Sequence, residues 1–199
     1  MTLKLKALIA FISVVFSPAV SNLHPPPKII NTSNANVAQH SPASEVSLKK
    51  ARHSLILKKI PNKYFSLVAK YSAHYHIPLS LSLSIMAVEN GLQAGGTMRG
   101  AAQRVSRSGA IGPMQLLPAT ARSMGVYDPW NAEQNIKAGI KYLHYLRQQL
   151  GDQEKLIIVA YNRGPIGALN MNRWDINHSY YLRTVQHLNH KLSFLNEEL

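Results

Sequence analysis

The 199 residues contain no cysteine. Disulfides are excluded, as is lipid attachment at a cysteine, so an exported domain has to be held together by its core alone. Acids are scarce as well: nine Asp and Glu stand against 22 Lys and Arg, a net charge of +13. The excess is uneven, +7 over residues 22–88, where Glu45 is the one acid, and +4 over residues 89–199. Such a surface favours a polyanion, whether nucleic acid, anionic lipid or an anionic wall polymer, and charge alone does not choose among them. Long apolar runs are missing too. The ten residues Ala7–Phe16 fall well short of the ~20 needed to span a bilayer. No stretch alternates convincingly as a strand, and no internal repeat is present.

What is present at the start selects a compartment. Met1–Lys6 carries two lysines and no acid, an apolar run follows, and Ser17–Ser21 supplies small residues. This is the pattern of a secretory signal peptide, read as residues 1–21 with cleavage after Ala19 or Ser21. Export to the periplasm removes a cytosolic nucleic-acid role, and no transmembrane anchor is expected after cleavage. Residues 22–60 are rich in Pro, Asn and Ser and then in Lys and Arg. They read as a flexible linker ending in a solvated basic segment.

Helical patterning begins near Pro61, with Phe65, Val68 and Ala69 on one side of Asn62–His74. Pro78 breaks the chain and opens a second helix that ends at Asn90-Gly91. Pro118–Gly125 has Pro at a helix start and Gly at its end. Asn131–Leu150 carries a stripe of Ile136, Ile140, Leu143, Leu146 and Leu150. Glu154–Tyr161 is apolar nearly all round, and Ser179–Leu192 is amphipathic. The expected architecture is all-α, five to seven helices over residues 61–192, with residues 193–199 as a tail.

Glu89 is the one acid in the run Leu81–Gly91. Leu81, Ile85, Val88 and Glu89 share one helical side, which places the carboxylate among apolar groups. Desolvation and the negative helix end both raise the pKa of such a group toward that of a general acid working near neutral pH. A lone Glu there also suits an ordinary cap. Downstream, Gly109-Ala-Ile-Gly-Pro-Met-Gln115 combines glycines that permit tight backbone approach with an amide delivered just before a helix. Ala160-Tyr161-Asn162-Arg163-Gly164 ends a buried helix in two polar side chains, which either face a cleft or bond to neighbouring backbone.

In this order these blocks resemble the soluble lytic transglycosylase family, whose domain is a lysozyme-like helical fold. The resemblance runs over about residues 60–192. It rests on Val88-Glu89-Asn90, Ser106, GAIGPMQLLPATA (109–121), NIKAGIKYL (135–143) and AYNRG (160–164). It implies that Glu89 is the catalytic acid and that Ser106, Gln115, Leu117, Tyr161 and Asn162 contact the sugar chain, with Asn177 at the family's second polar cleft position. Departures are Asn90 where Ser is usual, Pro113 for Leu, Leu117 for Met, a longer and basic 90–108 segment, and Asn177-His178 for Glu-Thr.

Ordinary glycosidases need two carboxylates, whereas after Glu89 no acid here occupies a motif position. The resemblance implies a one-acid lyase. Glu89 protonates the oxygen between N-acetylmuramic acid and N-acetylglucosamine and then deprotonates the 6-hydroxyl, closing a 1,6-anhydro ring. No cofactor is implied, and His74-x-His76 lacks a third metal ligand. The expected partner is peptidoglycan. A further expectation is service to an envelope-spanning secretion, conjugation or pilus machine, motivated by small size and the GPMQ variant. The alternatives are a goose-type lysozyme hydrolase and an inert wall-binding or assembly protein on the same fold.

Overall fold

The computed structural model describes residues 55–197. The signal peptide and most of the linker expected upstream lie outside the described residues. Nine α-helices occur within them: α1 (Leu55–Lys58), α2 (Asn62–Tyr75), α3 (Leu79–Glu89), α4 (Pro118–Ser123), α5 (Ala132–Leu150), α6 (Glu154–Arg163), α7 (Pro165–Leu169), α8 (Arg173–His178) and α9 (Tyr180–Leu192). Five exceed nine residues and correspond to the expected long helices. The other four are single turns or little more. No strand forms among the described residues; isolated antiparallel bridges join Ile111 to Val105 and to Leu116.

The centre of the molecule is α3. Its sequence, LSLSLSIMAVE, alternates large and small residues, yet every residue from Leu79 to Ala87 is buried. The helix therefore has no wet face, and Glu89 is set apart by its place at the end rather than by a side. Serine makes this possible, because it is small and its hydroxyl finds a partner inside. Ser84 Oγ donates to the Ser80 carbonyl (2.7 Å), Ser72 Oγ to Ser82 Oγ (2.8 Å), and Asn196 Nδ2 to Ser80 Oγ (2.9 Å). Satisfied hydroxyls remove most of the burial penalty. Helix α9 packs along α3, α2 lies against both α3 and α5, and α6 bridges α5 and α9.

Helix boundaries follow local chemistry. Pro78 precedes α3, and Asn131, Asn172 and Ser179 cap α5, α8 and α9 by accepting from backbone amides. Two expected boundaries need correction. Leu57 and Ile60 are buried in the core, and Lys59 Nζ donates to the Leu92 carbonyl (2.8 Å), so the folded unit includes residues 55–60. At the other end Leu195 is fully buried in a 3₁₀ turn (Ser193–Asn196), and the Asn196 side chain accepts from Ser80 N (3.0 Å). Both segments, LILKKI (55–60) and SFLN (193–196), are about one helical turn long, so their periodicity is too brief to read. Contact with distant elements decides them.

Candidate active site

Glu89 is the last residue of α3, half-buried, and one wall of a cleft of about 620 Å³. Burial pushes its carboxyl up from 4.5 to about 7, and a hydrogen bond from Tyr181 Oη to Oε1 (2.7 Å) partly offsets this. Ser106, Gln115, Leu117, Tyr161 and Asn162 all line the same cleft. Asn177 does not. Its Oδ1 accepts from Lys155 Nζ (3.0 Å) at an exposed position, because the turn of α8 holds it beside the start of α6, while the cleft lies at that helix's far end.

A second part of the lining, Ala110 and Gln115–Leu117, comes from the loop Gly109–Leu117, and the α5 motif explains its shape. Asn135 is fully buried and serves three backbone groups: Oδ1 accepts from Met114 N (2.8 Å), and Nδ2 donates to the Ile111 (2.9 Å) and Pro129 (3.0 Å) carbonyls. Gly112 has φ +81°, and a Cβ there would sit 2.4 Å from the Asn135 amide. At Gly139 a Cβ would stand 2.6 Å from the Met114 side chain. The spacing Asn-x-x-x-Gly on α5 is thus one turn of helix that grips the loop and then admits it. From the other side Tyr161 Oη donates to the Met114 carbonyl (2.9 Å).

Held so, Gln115 takes φ +48°, uncommon for a residue with a side chain and a form of strain that collects at functional sites. Its Nε2 folds back to the Gly112 carbonyl (2.9 Å). Ser106 Oγ accepts from Ala110 N (3.0 Å) and lies 2.9 Å from Ser108 Oγ, fixing the loop's entry.

Three tyrosines complete the site, none of them expected in it, although Tyr142 lies within the 135–143 motif. Tyr181 looks like one more stripe residue of α9. Tyr142 and Tyr145, one turn apart on α5, line the cleft with their rings stacked 6.2 Å apart, and Tyr142 stands 5.5 Å from Tyr161. Desolvation first, then the Glu89 charge, raise Tyr161 and Tyr181 well above the ordinary tyrosine value. Both therefore remain neutral hydroxyl donors. Among the described residues lining the cleft, Glu89 is the sole carboxylate. The arrangement can protonate a basic leaving group near neutral pH and take a proton back, with aromatic walls suited to a pyranose ring.

Fold and cleft together define a lysozyme-like helical domain built around one acid. Residues 66–180 match the transglycosylase SLT domain, and the chain belongs to that family. It is 30% identical over 118 residues to the soluble lytic murein transglycosylase of Escherichia coli K12, covering 54% of this chain and 17% of that protein. It is 28% identical over 119 residues to the transglycosylase of Enterobacteria phage PRD1, covering 60% and 40%. A 65-residue stretch is 45% identical to the membrane-bound lytic murein transglycosylase F of Haemophilus influenzae (strain PittEE), covering 30% and 14%. The chain spans less than half the length of these curated relatives.

Proposed function

We propose that this protein is a peptidoglycan lytic transglycosylase acting outside the cytoplasm, in the periplasm. The observation that carries the reading is a single cleft carboxylate raised to about 7. It is protonated often enough at neutral pH to act as an acid, and once ionised it is basic enough to take a proton back. Glu89 donates its proton to the glycosidic oxygen between N-acetylmuramic acid and N-acetylglucosamine, and the C1–O bond breaks. The sugar's own acetamido oxygen stabilises C1. The Glu89 carboxylate then removes the 6-hydroxyl proton as O6 attacks C1, which closes the 1,6-anhydro ring and restores the acid. Among the described residues no second carboxylate lines the cleft, which favours this route over activation of water. Tyr181 steadies Glu89, and Gln115, Ser106, Leu117, Asn162 and Tyr161 shape the sugar site. The names of the relatives, lytic murein transglycosylases among them, support the same substrate.

The test is mass spectrometry of peptidoglycan digested by the protein and by Glu89→Gln. Anhydro-muropeptides from the first and none from the second are expected. Products heavier by one water would make it a hydrolase, and no release with retained wall binding would make it an inert binder. Local opening of the wall for an envelope-spanning secretion, conjugation or pilus machine is a narrower proposal, supported by the GPMQ variant at Pro113. Cross-linking in cells should then recover that machinery, and its consistent absence would remove the idea.

A further inference from the structure

Two departures from the family pattern meet in space: Asn90, where Ser is usual, and the long basic segment after it. Asn90 directly follows Glu89 and is buried. Its Nδ2 donates to the Met86 carbonyl (2.8 Å) and to the Pro113 carbonyl (2.7 Å), and its Oδ1 accepts from Arg104 Nη1 (2.8 Å). Both amide hydrogens and the amide oxygen are therefore in use. A serine has one O–H and a shorter reach, and cannot make all three bonds at once.

Arg104 comes from the long segment, and its Nη1 also lies 3.4 Å from the backbone carbonyl of Asn90. Its Nη2 donates to the Thr97 carbonyl (2.7 Å) and approaches that of Arg99 (3.4 Å). Its own carbonyl accepts from Gly112 N (3.0 Å) and lies 3.5 Å from Gln115 Nε2. One residue thus ties the end of the acid's helix, the 97–104 loop and the turn that presents Gln115.

We propose that Asn90 and Arg104 form a coupled pair of positioning residues that sets Glu89 against Gln115, so that the basic segment is part of the catalytic scaffold. This rests on the transglycosylase reading. The pair fixes geometry, not charge: the acid's titration is set by burial and by Tyr181. Planar guanidinium geometry matters, since one group meets an amide oxygen and three backbone carbonyls from a fixed fork.

The experiment compares the full chain with Arg104→Ala, Arg104→Lys, Asn90→Ser and the double variant Asn90→Ser/Arg104→Ala on soluble glycan strands. Each single loss is expected to lower kcat about tenfold with KM within about twofold, and lysine to recover little of it. The double variant should be no slower than the slower single one, as for residues acting as a unit. The pH at which activity halves should stay where it is in the unaltered protein. Additive losses would overturn the proposal. So would a rise in KM at constant kcat, or a kcat loss matched by loss of folded protein in thermal melts. If the unaltered protein releases no product, the transglycosylase reading fails separately. Amide exchange over residues 97–116 then still tests the link: faster exchange at Gly112 in Arg104→Ala supports it, and unchanged protection overturns it.

Discussion

Replacing Glu89 by Gln should make the protein more stable, and only at one end of the pH scale. The carboxyl is raised from 4.5 to about 7 by burial, so the folded state prefers it protonated. Below pH 4.5 it is protonated folded or unfolded and contributes no difference. As pH rises through the window from 4.5 to 7, the unfolded chain releases the proton while the folded one holds it, and stability falls. Above 7 the cost is complete. At about 1.4 kcal/mol per pH unit the shift corresponds to about 3 kcal/mol. Glu89 also faces the cleft, and solvent screening reduces this to roughly 1–3 kcal/mol. Gln is neutral throughout and its amide oxygen still accepts from Tyr181. Urea unfolding of both proteins between pH 4 and 8.5 should give equal stabilities at pH 4, with a gap opening in favour of Glu89→Gln that levels off above 7. At about 2–4 °C per kcal/mol, the melting temperature at pH 8 should rise by several degrees. A gap already present at pH 4, or none at pH 8, would refute the reasoning, because neither follows from a desolvated carboxylate.

Tyr181→Phe removes the bond that lowers the Glu89 pKa, so the alkaline limb of the pH–rate profile should move to higher pH while kcat drops; a downward or absent shift would contradict the assignment. Asn135→Ala strands Met114 N and the Pro129 carbonyl and takes one of two bonds from the Ile111 carbonyl, which keeps Leu116 N. At about 1–3 kcal/mol for each buried group left unpaired, urea unfolding should show a loss of about 2 kcal/mol or more, with activity lost as the Gln115 turn relaxes. Leu195→Ala should cost about 2–4 kcal/mol of unfolding free energy, and a negligible cost would return residues 193–197 to a loose tail. Asn177→Ala should leave glycan turnover within about twofold, and a tenfold loss would put this residue back in the site.

Much of the site was legible because its chemistry is written in local strings. Proline at helix starts, glycine at their ends and a repeating apolar stripe mark the long helices, since these signals act over one or two turns. Glu89, Gln115 and Tyr161 stand out as polar groups amid residues that pack. Asn177 misled because its place in the pattern implied a place in the cleft, and a six-residue helix turned it toward Lys155. Tyr181 and Tyr145 were missed, and Tyr142 was quoted in the 135–143 motif without a role, because an aromatic on a helical stripe reads the same whether it meets the core or the wall of a cavity.

The sequence by itself determined an all-helical chain and its main helix boundaries, matters of short-range pattern, while its resemblance to the soluble lytic transglycosylase family singled out Glu89 as the candidate acid. Only the tertiary structure decided that α3 has no wet face, that Leu57, Ile60 and Leu195 belong to the core, and that Asn90 and Arg104 lock together. It also set the rise of the Glu89 carboxyl to about 7, which comes from the protein packed around it and is offset in part by a hydroxyl from Tyr181, 92 residues away. Desolvation and hydrogen bonding act through space, and no local spacing encodes them.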